Sequence, residues 1–274
     1  MEGFADMIDV LDLWFFALLL FVALIAAREF GGWLHYRVAG ATDGDPEDGI
    51  DKSFLITATL GLLALLTAFT FSLALDRFEE RRTIVVQEAN DIGTAEMRVR
   101  LLDAPYNAQL AGMLQANART RLQYGLSNAH EKPALAARSS AQRTEIQNAT
   151  LAALAPEARS PMAVYVLPAI NAVLDTGVER EALNESRIPG AILFSLIAYN
   201  LLTAAMLGYA LTGRRTRQRA PATVLFVLLA LAITLILDLD RPQRGTIRVD
   251  QTPMQNQVNG FAPLPAGVPE PNLR

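Results

Sequence analysis

SFLITATLGLLALLTAFTFSLALDRFEERR, residues Ser53–Arg82, decides the fold. It opens as an uncharged apolar run from Ser53 to Leu75. At about 1.5 Å of rise per residue, that run crosses a hydrocarbon core of about 30 Å. Dense charge follows at Asp76, Arg77, Glu79, Glu80, Arg81 and Arg82, with no Pro or Gly between. The simplest reading is one helix that leaves the membrane and continues unbroken into water. Past the membrane, Phe78, Val85, Ile92 and Val99 recur at heptad spacing and form an apolar seam for a partner helix.

Composition agrees. Hydrophobic residues make up 51% of the chain and gather in four blocks, the pattern of a polytopic membrane protein. In lipid each backbone polar group needs an internal partner, so the spans are helices. The absence of cysteine excludes disulfides, thiolate metal sites and cysteine nucleophiles. His35 and His130 are the only histidines, both in polar contexts, so neither a two-His metal site nor a Ser-His-Asp triad is expected. There is no HExxH, no GxSxG and no pair of acids inside a span, so neither an enzyme nor a cofactor is expected. A slightly acidic chain with its Arg near membrane ends does not suggest nucleic acid.

Upstream of the deciding stretch, the N-terminus carries Glu2, Asp6, Asp9 and Asp12 and no Lys or Arg. A cleaved signal peptide needs a basic start, so an uncleaved first span over Met7–Ala27 is expected. The segment Gly40–Asp51, GATDGDPEDGID, reads as a turn-rich acidic loop. It fails the EF-hand pattern: counting from Asp43, Asp48 and Phe54 stand where Gly and Glu are needed. Within the second span the hydroxyls of Thr57, Thr67, Thr70 and Ser72 are expected to bond the preceding turn or pack against other helices.

Downstream, the second helix continues to about Asp103, with Gly93 allowing close packing. Pro105, Pro133, Pro156 and Pro161 punctuate Ala-, Leu-, Gln- and Arg-rich helical segments, and Pro168 kinks or starts the last of them. Tyr124 and Tyr165 read as packing residues. The expected third span is Ile188–Leu211, with Asn200 as glue between helices. The fourth runs from Pro221 to Leu237. The Pro-rich tail from Gln251 is expected to be extended or disordered, or to lie along the helical domain.

The resulting architecture is all-α. Residues 1–75 hold two transmembrane helices and their acidic loop, 76–187 a helical extramembrane domain of about five segments, 188–240 two further transmembrane helices, and 241–274 the tail. Four spans put both termini and the helical domain on one side. The positive-inside rule does not choose that side. Arg214, Arg215, Arg217 and Arg219 on a short loop are offset by Arg77, Arg81, Arg82, Arg180, Arg187, Arg241, Arg244 and Arg248 at the domain end.

Three landmarks resemble one known family. The second span followed by Asp76-Arg77-Phe78-Glu79 resembles the pore-lining helix of bestrophin anion channels. Glu179-Arg180 followed by Arg187-Ile188-Pro189 resembles the lead into their third span, and Asp240-Arg241-Pro242 with Gly245 the group after their fourth. The runs DRFEERRTIVVQEANDIGTAEMR (Asp76–Arg98) and DLDRPQRGTIRVDQTPM (Asp238–Met254) look like the bacterial bestrophin-like family.

The resemblance implies a homopentamer in a bacterial inner membrane, in contact with the lipid bilayer and conducting small ions, anions first, around a ring of second helices. In bestrophins, apolar residues four apart form a narrow neck ending in a Phe seven positions before the Asp-Arg. The matching positions are Gly61, Leu65 and Phe69, and rings of Leu and Phe gate by dewetting. Gly61 departs from the expected bulk, and Phe71 and Ser72 replace a pair of Asn. Asp76, Arg77 and Arg81 are the expected charges at the pore exit. Asp238 and Asp240 are too few for the calcium clasp of animal bestrophins, so no metal is expected. The competing reading is a non-conducting scaffold or sensor whose helical domain binds another protein.

Overall fold

The computed structural model describes residues 12–38, 46–128, 130–155, 161–211, 219–241 and 245–264, and among them every regular element is helical. In chain order these are α1 (Leu13–Val38), α2 (Pro46–Val99), α3 (Tyr106–Leu126), α4 (Lys132–Leu154), α5 (Pro161–Glu185), α6 (Gly190–Leu211), α7 (Arg219–Asp240) and α8 (Thr252–Gly260). Four stretches are long and apolar enough to cross a membrane: Leu13–Val38, Ser53–Val99, Met162–Leu211 and Ala220–Asp240.

Several boundaries differ from the sequence reading. The first helix does not end at Ala27 but runs on to Val38, and Arg28 and Glu29 pair side by side at 2.8 Å within it. The acidic segment is helical from Pro46 onward, since Pro is well placed at a helix start. Residues 40–45 of that expected loop lie outside the described residues, as do residues 7–11 of the expected first span. Arg214, Arg215 and Arg217 of the short basic loop, and Pro242 and Arg244 after the fourth span, lie outside them too. The second helix stops at Val99, short of Asp103. Pro168 neither starts nor ends a helix but lies inside α5. Tyr165, expected to pack, is exposed.

The chain forms two compact units: Met1–Arg77 with Arg187–Ile247, and Phe78–Ser186 with Arg248–Arg274. In the first, Trp14 and Trp33 of α1 are both exposed. The helix rises about 28 Å between them, a separation that matches the distance between the two aromatic belts of a span. On another face of α1, Gly31 meets the Ala205 carbonyl of α6, and Gly208 of α6 meets the Arg28 carbonyl of α1. The next contact, His35 edge to face with the Tyr209 ring at 5.0 Å, lies on the C-terminal side of both glycines. The two helices therefore run the same way, as first and third spans must. Asn200 is fully buried and bonds the Leu196 carbonyl. Thr57, Thr67 and Thr70 bond the carbonyls of Ser53, Leu63 and Leu66, one turn back as expected; Ser72 is exposed.

At the end of α7, Asp238 accepts bonds from the Thr246 amide at 2.7 Å and from its hydroxyl. Asp240 accepts from the Ile188 amide at 3.0 Å, while Arg187 donates to the Asp240 carbonyl at 2.7 Å. A side chain at Gly245 would overlap an Asp238 oxygen, so this turn requires Gly.

The second unit is built on the seam of α2. Val85, Ala89, Ile92, Ala95 and Val99 pack with Leu110, Leu114 and Ala118 of α3, Ile146 of α4, and Val166, Ile170 and Val173 of α5. Met254 of α8 completes this core. Over this segment the tail lies along the helical domain, the last of the expected alternatives.

Candidate pore helix and the buried charge network

Among the buried residues of α2, a continuous stripe runs through Leu63, Thr70, Ala74, Arg81, Val85, Glu88, Ile92, Ala95 and Val99, with Ile84, Ala89 and Glu96 buried beside it. The intervals are 3, 4 or 7 residues, the signature of a single helical face. The expected neck residues lie off that stripe. Leu65 is 51% exposed and Phe69 66%, and nothing approaches within 4 Å of the place where a Cβ on Gly61 would stand. Four-residue steps advance only about 40° around a helix, so the three share a face, one that the described residues leave uncovered.

The three expected exit charges differ in burial. Asp76 is exposed and Arg77 half-buried. Arg81 is 2% exposed and turned toward the end of α5, donating to the carbonyls of Leu183 at 3.2 Å and Ser186 at 2.8 Å. A cation on the last carbonyls of a helix satisfies acceptors that have no intrahelical donor and complements the helix dipole. Glu79 and Arg82 form an exposed pair at 3.4 Å.

Deeper in the second unit lies a network that sequence reading missed. Glu88 accepts from Arg121 Nε at 2.5 Å and from Arg180. Arg121 also donates to Glu181 at 2.6 Å and to the Gly177 carbonyl at 3.2 Å. Arg143 grips Glu181 with two nitrogens, at 2.7 and 3.1 Å. Arg180 reaches on to Gln251 at 2.8 Å. The Tyr124 ring has Lys132 Nζ at 4.9 Å and the guanidiniums of Arg121 and Arg180 at 5.0 and 5.8 Å. Its phenol is pushed above its ordinary value by burial, with the Arg121 charge pulling the other way. One signal in the sequence marked this network: Glu88 interrupts the apolar seam of α2, and a carboxylate there needs buried cations. Among the described residues, no three His, Cys, Asp or Glu side chains are grouped to hold a metal ion.

A family model described as a bestrophin-like domain matches residues 17–254. The fold is similar to crystal structures of a bacterial bestrophin homologue from Klebsiella pneumoniae. One is 17% identical, covers 89% of this chain and 94% of its own, and superposes with a TM-score of 0.59. A single-substitution variant of that homologue gives 16%, 90%, 95% and 0.61. A variant structure described only as a membrane protein is 18% identical over 92% of this chain and 98% of its own, with a TM-score of 0.61. No curated protein sequence matches. At such identities the structures speak to fold, and the family model speaks to kinship. This four-span, all-helical membrane protein belongs to the bestrophin-like family.

Proposed function

We propose that the chain forms an ion-conducting pore as a closed ring of identical copies, a homopentamer, with α2 toward the axis. Leu65 and Phe69 form its apolar neck, and Gly61 widens one end. One observation carries this reading: Gly61, Leu65 and Phe69 share a face of α2 that lies off the buried stripe and is left uncovered by the described residues. In lipid such a face is tolerated, but rings of Leu and Phe around an axis also form a hydrophobic constriction that gates by dewetting. Membership of the bestrophin-like family supports transport rather than catalysis, in a bacterial inner membrane, and by resemblance the ion is an anion.

A second reading, that the pore favours cations, rests on the charges that follow the neck. With Arg81 turned onto α5, the exposed charges there are Asp76, Glu79 and Glu80 against Arg82, and the half-buried Arg77. An acidic lining repeated around a ring raises the local cation concentration.

The test is flux in liposomes across a potassium chloride gradient, wild type beside Phe69→Ala. A rise of at least about tenfold on truncation, equivalent to about 1.4 kcal/mol of barrier, is the expected outcome. The sign of the reversal potential decides between anion and cation. A folded, oligomeric protein that conducts in neither form would leave the scaffold reading in its place.

A further inference from the structure

The chain has two tryptophans, Trp14 and Trp33, and α1 carries both. Each is exposed near one end of that span, but their charged neighbours are of opposite sign. Beside Trp14 stands Asp12, whose carboxylate accepts from the Trp14 amide at 2.9 Å, and no Lys or Arg precedes Arg28 in the sequence. Beside Trp33 stands Arg37, one helical turn on, with its guanidinium carbon 5.0 Å from the centre of an indole ring.

The Trp33 indole has a second partner. Phe30 stacks with it, the ring centres 5.7 Å apart and the planes inclined by 27°. Intervals of three and four residues put Phe30, Trp33 and Arg37 on one face of α1, away from the Gly31 contact with α6. All three are exposed, and so is Tyr36 beside them. A guanidinium laid on an aromatic face spends its flat surface on the ring and keeps its N–H edge for an anion. Among the described residues no carboxylate takes that edge, whereas Arg28, deeper in the span, is paired with Glu29. By sequence, the joins at this end of the spans carry both signs, acids over Asp43–Asp51 and arginines over Arg214–Arg219. A general field therefore does not choose a headgroup here, and the local guanidinium does.

We propose that Phe30, Trp33 and Arg37 form a seat for an anionic phospholipid, with the phosphodiester on the guanidinium edge and the glycerol and upper acyl chain against the stacked rings. The occupant is a lipid because the three residues border the exposed apolar face of a span at the level of its aromatic belt. The assignment does not depend on conduction.

One tryptophan at each end makes the test internal. Trp14→Phe leaves Trp33 as the sole indole, and Trp33→Phe leaves Trp14. The full chain is reconstituted in phosphatidylcholine bilayers in which a fixed fraction of the lipid has brominated chains, on phosphatidylglycerol or on phosphatidylcholine. Bromine quenches an indole that it touches. In Trp14→Phe, brominated phosphatidylglycerol is expected to be preferred about fivefold at Trp33, the value of one basic residue at an anionic surface. The ratio falls to about one when Arg37→Gln is added, and is about one at Trp14 in Trp33→Phe. Equal quenching of Trp33 by the two lipids, a preference that survives Arg37→Gln, or the same preference at both tryptophans overturns the proposal. Loss of the preference on adding inorganic phosphate at constant ionic strength would put a free anion in the seat and also overturn it. Should Trp14→Phe not be recovered, wild type against Arg37→Gln alone decides, by the loss of preference in total quenching.

Discussion

Gly31 of α1 faces the carbonyl of Ala205 in α6 so closely that a Cβ there would overlap the oxygen. The obstacle is backbone, which cannot swing aside as a side chain can. Gly31→Leu therefore separates the two helices and, with them, the reciprocal contact at Gly208. Overpacking of this kind costs about 1–3 kcal/mol, more where backbone must move. The expected outcome is a melting temperature in detergent lower by several degrees. Gly61→Ala is the control: no described residue stands near its Cβ, and Ala is the better helix former by about 1 kcal/mol. Equal melting of Gly31→Leu and wild type would refute the close α1–α6 crossing.

Glu88 is bonded to both Arg121 and Arg180, and all three side chains are buried. Glu88→Gln keeps the shape and removes the charge, leaving two desolvated guanidiniums short of their counterion. Breaking a buried pair from one side typically costs about 3–5 kcal/mol. The variant is expected to melt far lower or to be recovered in poor yield. A melting temperature within a degree or two of wild type would mean that Glu181 and Gln251 suffice to hold the arginines.

Those two sites differ in how far they could be read from the chain. The continuity of α2 was legible because Asp76–Arg82 contains no breaker, and the seam at Val85, Ile92 and Val99 is buried as its spacing predicts. Phe78, the first of that series, is only half-buried. The end of α1 was not legible. Arg28-Glu29 looks like a stop, yet paired charges near a membrane edge do not end a helix whose backbone bonds are already satisfied. The cations around Glu88 and Glu181 were illegible for another reason: Arg121, Arg143 and Arg180 come from three different helices, and only the fold brings them together. Arg81 shows the limit for the charges expected at a pore exit. Sequence placed it beside Asp76 and Arg77, but a long side chain chooses its face by the acceptors within reach, here the open carbonyls at the end of α5.

Calcium should leave the protein indifferent. Asp238 gives both oxygens to Thr246, and Asp240 gives one to the Ile188 amide, so the acids in the last turn of α7 are already committed to tying the turn. Asp238→Ala strands the Thr246 donors, at a cost of about 1–3 kcal/mol of stability. The expected flux is unchanged between calcium-free and calcium-containing buffer. A calcium-dependent conductance that Asp238→Ala abolishes would show that this carboxylate serves as a ligand instead.

Asp250, just ahead of α8, gives a prediction with a defined sign. Its carboxylate accepts bonds from the Thr252 hydroxyl at 2.6 Å and the Thr252 amide at 2.9 Å. These hold its pKa below the ordinary 3.8. A group whose folded value is depressed contributes stability that is complete above its unfolded value and is lost as pH falls through the folded one. The start of α8 is therefore indifferent to pH from about 8 down to about 5 and loosens only below about 4. Amide exchange over residues 252–260, corrected for the intrinsic effect of pH, is the measurement. Asp250→Ala should remove the acid-side loss together with some protection at neutral pH. A helix α8 that instead loosened between about pH 8 and 6 would point to a group other than this carboxylate, because nothing in the bonding of Asp250 titrates there.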